Sequence, residues 1–87
     1  MKVKSGFLLR DMGGQPVVVS VGAASKIFNG MIKLNASGKV LWEKLQNDVT
    51  EQELVDALIE KYGIEEELAR TDVNAFLETL RKPGIIE

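Results

Sequence analysis

Hydrophobic residues in the first third of the chain follow the spacing of short β-strands separated by turns. Two runs rich in apolar and β-branched residues, Phe7–Met12 and Pro16–Val21, flank the pair Gly13-Gly14. Paired glycines between such runs are typical of a tight hairpin turn, because glycine adopts positive φ angles at little cost. The pattern therefore predicts an antiparallel hairpin, followed by a loop or irregular crossing over Gly22–Asn29.

A third, shorter strand is predicted over the four residues that follow the turn signal Asn29-Gly30. Alternate side chains of a strand point to opposite faces of its sheet. Ile32 and Leu34 therefore share one face, which we expect to be buried. Met31 and Lys33 share the other face.

The second half of the chain has the apolar spacing of three amphipathic helices. The sequence Thr50-Glu51-Gln52-Glu53 is a capping box that begins the second helix, and Gly63 suits the position just after its end. The third helix is predicted from Glu65 to Lys82, where Pro83-Gly84 ends it and a short apolar tail, Ile85-Ile86, follows. The pattern as a whole predicts an α+β fold, with a three-stranded antiparallel sheet followed by a three-helix bundle.

The junction between the strands and the helices, Leu34–Gly38, carries the residues that most resemble a signature. Asn35 is the predicted N-cap of the first helix, because its side-chain carbonyl can accept a hydrogen bond from a free N–H of the first turn. That helix is predicted to end near Gln46. Its apolar stripe contains Trp42, the only tryptophan of the chain. By itself the segment is also typical of a generic strand-to-helix junction.

The predicted third helix has an apolar arc wider than one core contact requires. With about 100° per residue, one face groups the four residues that we expect to enter the core. These are Val73, Phe76, Leu77 and Leu80. A second flank carries Leu68 and Ala75 beside Asp72 and Thr79. Two interpretations stay open: the flank packs against the second helix or the tail, or it lines an exposed groove.

Composition removes most catalytic and metal-binding classes. The 87 residues are the length of a single domain, 1–87, and include no cysteine and no histidine. Zinc fingers, iron–sulfur sites, cysteine nucleophiles and Ser-His-Asp triads therefore lack their usual residues. No spacing of glycines matches a phosphate-binding loop. We expect no catalytic residue, no cofactor and no metal, and hence a protein that is not an enzyme.

The chain has no sequence feature of a membrane or secreted protein. No apolar run approaches the roughly 20 residues of a membrane span. The first residues lack the apolar segment of a signal peptide, so a cytoplasmic location is the expectation. Charge is divided unevenly: residues 1–46 carry seven basic and two acidic side chains, and residues 47–87 carry four basic and eleven acidic ones. Such a bipolar surface would orient a charged partner.

The ordered motifs resemble the PqqD-like family, small proteins named for a component of pyrroloquinoline quinone synthesis. The resemblance covers nearly the whole chain. The matching segments are Leu34-Asn35-x-Ser37-Gly38 with Trp42, Thr50-x-x-Glu53-Leu54, Lys61-Tyr62, and Asp72-Val73-x-x-Phe76-Leu77-x-x-Leu80.

The resemblance implies a winged-helix-like domain that recognises precursor peptides which are ribosomally made and then modified. In that family the leader of the precursor adds as a strand beside the third strand and lies against the third helix. The domain then presents the peptide to a modifying enzyme, often a radical S-adenosylmethionine enzyme. Here the corresponding peptide-binding residues are Met31, Ile32, Lys33, Leu34, Leu68, Asp72, Ala75 and Thr79. The precursor, and whether its pathway is quinone synthesis, stay open.

Two other function classes compete with peptide binding. A winged-helix domain can bind DNA, but the predicted second and third helices are rich in acidic residues that would repel phosphates. We therefore expect neither a nucleic-acid nor a membrane partner. The second alternative is a structural or dimerisation module, in which an edge strand or the Ile85-Ile86 tail pairs with another copy of the chain.

Overall fold

The elements of the structure follow the predicted order. The computed structural model describes all 87 residues. The strands are β1 (Phe7–Met12), β2 (Gln15–Ser20) and β3 (Met31–Lys33), and the helices are α1 (Ala36–Lys44), α2 (Glu51–Tyr62) and α3 (Glu66–Arg81). The predicted α+β fold, with an antiparallel sheet ahead of three helices, is confirmed. The prediction of a loop over residues 22–29 was incomplete, because Gly22–Lys26 forms a 3-10 helix.

The sheet is antiparallel with the strand order β1-β2-β3, so that β1 and β3 are its two edges. Gly13 and Gly14 have φ angles of 63° and 87°, which is the left-handed backbone that a two-residue hairpin turn requires. The side chain of Asp11 accepts a hydrogen bond from the N–H of Gly14 at 2.7 Å. These contacts fix the register of the hairpin, and the order of strands leaves β3 without a partner on one side.

One hydrophobic core joins the sheet, all three helices and both ends of the chain. Trp42, Leu58 and Leu77 are almost fully buried in it. Ile85 and Ile86, predicted only as an apolar tail, are also buried. Ile86 forms an antiparallel bridge with Val3. The helices are thus fixed against the inner face of the sheet, which sets the distance between β3 and α3.

Each predicted N-cap is present and fixes where its helix begins. The Oδ1 of Asn35 accepts a hydrogen bond from the N–H of Gly38 at 2.8 Å, at the start of α1. At the start of α2, Thr50 and Glu53 exchange the two hydrogen bonds of a capping box. Gly63 ends α2 with a φ of 64°. No helix of the structure has the length and apolarity needed to span a membrane.

An ion pair joins the start of the chain to the segment between α1 and α2. The ammonium group of Met1 donates hydrogen bonds to Asp48 and to the carbonyl of Val49, both at 2.7 Å. This hydrogen bond and the positive charge of the ammonium lower the pKa of the exposed Asp48 carboxyl. The contact fixes the segment between α1 and α2 against the start of the chain.

Candidate functional site

The backbone of β3 presents unpaired hydrogen-bonding groups to one side. In an antiparallel ladder, residues that bond their partner alternate with residues whose N–H and C=O point away. The N–H of Leu34 donates to the carbonyl of Pro16 on β2 at 2.9 Å. With the observed register, Ile32 is therefore the next residue that bonds β2. Met31 and Lys33 consequently direct their N–H and C=O groups to the free edge.

A glutamine side chain completes the pairing at the end of β3. Proline has no N–H, so Pro16 has no donor for the carbonyl of Leu34, the residue opposite it. The Nε2 of Gln15 donates to that carbonyl at 2.8 Å and supplies the missing bond. Gln15 therefore anchors the end of the edge strand where α1 begins.

Replacing Gln15 with alanine should destabilise the protein by about 1 kcal/mol, because the partly buried carbonyl of Leu34 loses its donor. Urea denaturation measures this change. In a Pro16→Val background the new N–H faces the same carbonyl, and the cost of Gln15→Ala should fall by about 0.5–1 kcal/mol. An equal cost in the two backgrounds would show that Gln15 does not replace the missing bond.

A groove of about 400 Å³ lies between the free edge of β3 and one side of α3. Asp72, Ala75 and Thr79 of α3 form one wall, and each of them is exposed to solvent. The end of β3 forms the opposite wall. Gly38 and Leu41 of α1 line the groove between the two walls. Of the two interpretations of the wide α3 flank, the exposed groove is therefore the one that holds for these three residues.

Six of the eight residues predicted for the site line this groove. They are Ile32, Lys33, Leu34, Asp72, Ala75 and Thr79. Met31 belongs to the same strand, but its side chain is not part of the lining and is 52% exposed on the outer face of the sheet. Leu68 lines a neighbouring cavity instead. The structure thus brings together most of the predicted set and separates two members from it.

Phe76 lines the groove, although the sequence pattern predicted it to lie in the core. It was predicted to lie in the core with Val73, but it is only half-buried, packs against the core and also lines the groove. At about 100° per residue, Phe76 lies at the border between the core face and the flank that carries Asp72. That border position is the signal that could have identified it.

Gly38 allows α1 to approach the ring of Phe76. A Cβ atom added at Gly38 would lie 3.3 Å from Cε1 of Phe76 and 3.1 Å from Oδ1 of Asn35. Both separations are tighter than ordinary van der Waals contact. The glycine therefore keeps the N-cap of α1 and the aromatic ring together at the base of the groove.

The two walls carry opposite charges. Lys33 lines the groove at the edge of β3, with an exposed side chain that starts from the same face of the sheet as that of Met31, and Asp72 is exposed on the α3 side. Neither side chain takes part in an ion pair within the chain, whereas Arg70 of α3 pairs with Glu51 and Glu66. The groove therefore combines an apolar base, one free cation, one free carboxylate and a strand edge with open hydrogen-bonding groups. Such a surface fits an extended peptide better than a small molecule.

Comparisons with known proteins identify one family and two structures of similar fold. The sequence model of coenzyme PQQ synthesis protein D (PqqD) matches residues 15–86. The structure of TbiB1 in complex with the TbiA(beta) leader peptide superposes with a TM-score of 0.78 at 21% identity, covering 100% of this chain and 95% of that one. The structure of lasso peptide synthetase B1 complexed with the leader peptide gives a TM-score of 0.73 at 15% identity, covering 97% and 93%. No curated protein sequence matches the chain significantly.

Proposed function

The chain belongs to the PqqD family, and on that premise we propose that it binds the leader segment of a ribosomally made precursor peptide. The leader adds as a fourth strand at the free edge of β3 and lies in the groove against α3. Residues 1–87 act as one peptide-recognition domain. The resemblance inferred from the ordered motifs is confirmed by the family match.

The observation that carries the proposal is the position of the free backbone groups. Met31 and Lys33 direct N–H and C=O groups to the free edge of β3, which borders the groove, so that an extended peptide can complete the ladder there. Main-chain pairing supplies affinity with little dependence on sequence. Side chains that enter the groove beside Ala75 and Phe76 supply specificity.

Two further observations support the proposal. The two similar structures named above, those of TbiB1 and of lasso peptide synthetase B1, are complexes with leader peptides. In addition, the free charges of Lys33 and Asp72 lie on opposite walls, where they would favour an acidic and a basic residue of the bound peptide respectively.

Under this proposal the domain presents its peptide and performs no chemistry itself. The modification belongs to a partner enzyme, for which we propose a radical S-adenosylmethionine enzyme as in the family, and the encounter takes place in the cytoplasm. The wall residues proposed for binding carry hydroxyl, carboxylate, methyl and ammonium groups, which can contact a bound peptide through hydrogen bonds, charge and packing.

DNA binding has less support from the exposed surface of α2 and α3. Seven acidic side chains of these helices are exposed: Glu53, Asp56, Glu60, Glu66, Glu67, Asp72 and Glu78. A phosphate backbone would meet repulsion on this face. Homodimerisation through β3 would use the same edge as the peptide, and the two would compete.

Calorimetric titration tests the proposal with leader peptides of the short precursors encoded beside the gene. Scrambled peptides of equal composition and a random DNA duplex at low salt serve as controls, at protein concentrations where light scattering gives a monomer. We expect saturable binding of one leader at least tenfold tighter than its scrambled form, which is about 1.4 kcal/mol. Binding of the duplex without binding of any leader would contradict the proposal.

A further inference from the structure

A second cavity, of about 520 Å³, adjoins the groove near the start of α3. Ala36 of α1 contributes a methyl group to its lining, and the large apolar lining residues come from the end of α2, the turn after it and the first turn of α3. These residues are Leu58, Tyr62, Ile64 and Leu68. Leu58 is fully buried, so the cavity reaches down to the core.

The second cavity and the groove adjoin each other and share three lining residues. Asn35, Ser37 and Asp72 line both of them. The carboxylate of Asp72 has no ion pair within the chain and lies at this junction. The second cavity therefore lies next to the end of the groove that Asn35 and Asp72 line.

The rim of the second cavity exposes large apolar side chains. Leu68 is 51% exposed and Tyr62 is 42% exposed. Covering such side chains yields roughly 25 cal/mol for each Å² of apolar surface removed from water. The rim thus offers binding energy to an apolar group, in contrast to the charged surface of the rest of α2 and α3.

The helical spacing sets how much peptide the two concavities hold. From Asp72 to Thr79 the axis of α3 advances by about 10 Å, and from Leu68 to Asp72 by about 6 Å. An extended peptide advances by about 3.3 Å for each residue. The groove therefore holds about three residues, equal to the length of β3, and the second cavity lies about two residues farther along.

We propose that the peptide bound along β3 continues past Asp72 and places a large apolar side chain in the second cavity. The inference rests on the proposed strand addition and specifies its ligand. The ligand is a peptide with a branched aliphatic or aromatic residue about two positions beyond the segment that pairs with β3. Between that apolar residue and the segment that pairs with β3, an acidic residue is disfavoured, because the free carboxylate of Asp72 would repel it.

Selection from a displayed library of random 12-residue peptides tests this inference. The bait proteins are the wild type, Leu68→Gln, Lys33→Pro and the control Leu8→Gln. Leu8 is 38% exposed and lies on β1, away from both concavities. Leu8→Gln therefore makes the same leucine-to-glutamine change as Leu68→Gln at a position outside the proposed site. Individual selected peptides are then titrated, together with forms in which the apolar residue is replaced by alanine.

We expect the wild type and Leu8→Gln to enrich an apolar residue at one fixed position, and Leu68→Gln to lose that enrichment alone. On the wild-type protein, the alanine form of a peptide should bind about tenfold more weakly than its parent peptide. On Leu68→Gln, the alanine form and the parent peptide should bind equally well. Equal enrichment on Leu68→Gln would overturn the inference while leaving strand addition intact. Peptides that bind Lys33→Pro as well as the wild type would instead overturn strand addition itself, and with it this inference.

Discussion

Lys33→Pro should reduce binding of the leader peptide at least about 100-fold, a loss of about 2.7 kcal/mol, while the protein stays folded. The N–H of Lys33 points to the free edge, so proline removes a donor to the peptide and none to β2. Its ring also occupies the position of the incoming strand. Proline is tolerated on the solvent side of edge strands, so the free energy of unfolding should change by no more than about 1 kcal/mol. Calorimetric titration and urea denaturation measure the two quantities.

Lys33→Thr is the matched control for this prediction. Threonine keeps the backbone N–H and suits a strand, but it removes the ammonium group. Binding should therefore fall by less than about fivefold, the size of one exposed charge contact. Ile32→Pro is not a usable variant, because the N–H of Ile32 donates a hydrogen bond to β2, and losing that bond would damage the sheet. If Lys33→Pro binds the leader as the wild type does, the peptide does not pair with β3.

Trp42→Ala should destabilise the protein by about 3–5 kcal/mol, the range for removal of a large aromatic side chain from a core. Trp42 is 2% exposed, and it lies in the helix whose Gly38 and Leu41 line the groove. Domains of this kind have a total stability of about 5–15 kcal/mol. Urea denaturation followed by circular dichroism should therefore show a much lower midpoint and a partly unfolded population at physiological temperature.

Trp42→Phe is the control for the tryptophan prediction. It keeps an aromatic ring in the core and should cost less than half as much as alanine. A loss below about 1 kcal/mol for Trp42→Ala would show that the side chain does not fill the core as the structure places it. In that case the base of the groove would not depend on the packing of α1 either.

The sequence predicts most of the fold because local signals and tertiary packing agree. Gly13-Gly14, the capping box at Thr50 and the glycine at position 63 each act within a few residues, and each lies where the structure has a turn or a helix end. The 3-10 helix at Gly22–Lys26 escaped prediction because it has five residues and no side-chain cap. Ile85 and Ile86 were predicted only as a tail, since their burial depends on a bridge to a residue 83 positions away.

The candidate site was predictable in its elements but not in its hydrogen bonds. Alternation along β3 separates Ile32 from Lys33, yet which N–H faces the edge depends on the register with β2. That register rests on the bond from Leu34 to Pro16, between residues 18 positions apart. The second cavity escaped prediction for a similar reason. Its lining forms only when the turn after α2 brings Ile64 beside residues from all three helices.

The most direct test of strand addition is the exchange and chemical shift of backbone amides in the labelled protein during titration with the leader peptide. We expect shifts concentrated in residues 30–34 and 68–80, with the amide of Lys33 becoming protected from hydrogen exchange in the complex. The amide of Ile32, already bonded to β2, should change its protection little. Saturable binding without protection of Lys33, or with shifts confined to β1 or the outer side of α2, would contradict strand addition at β3.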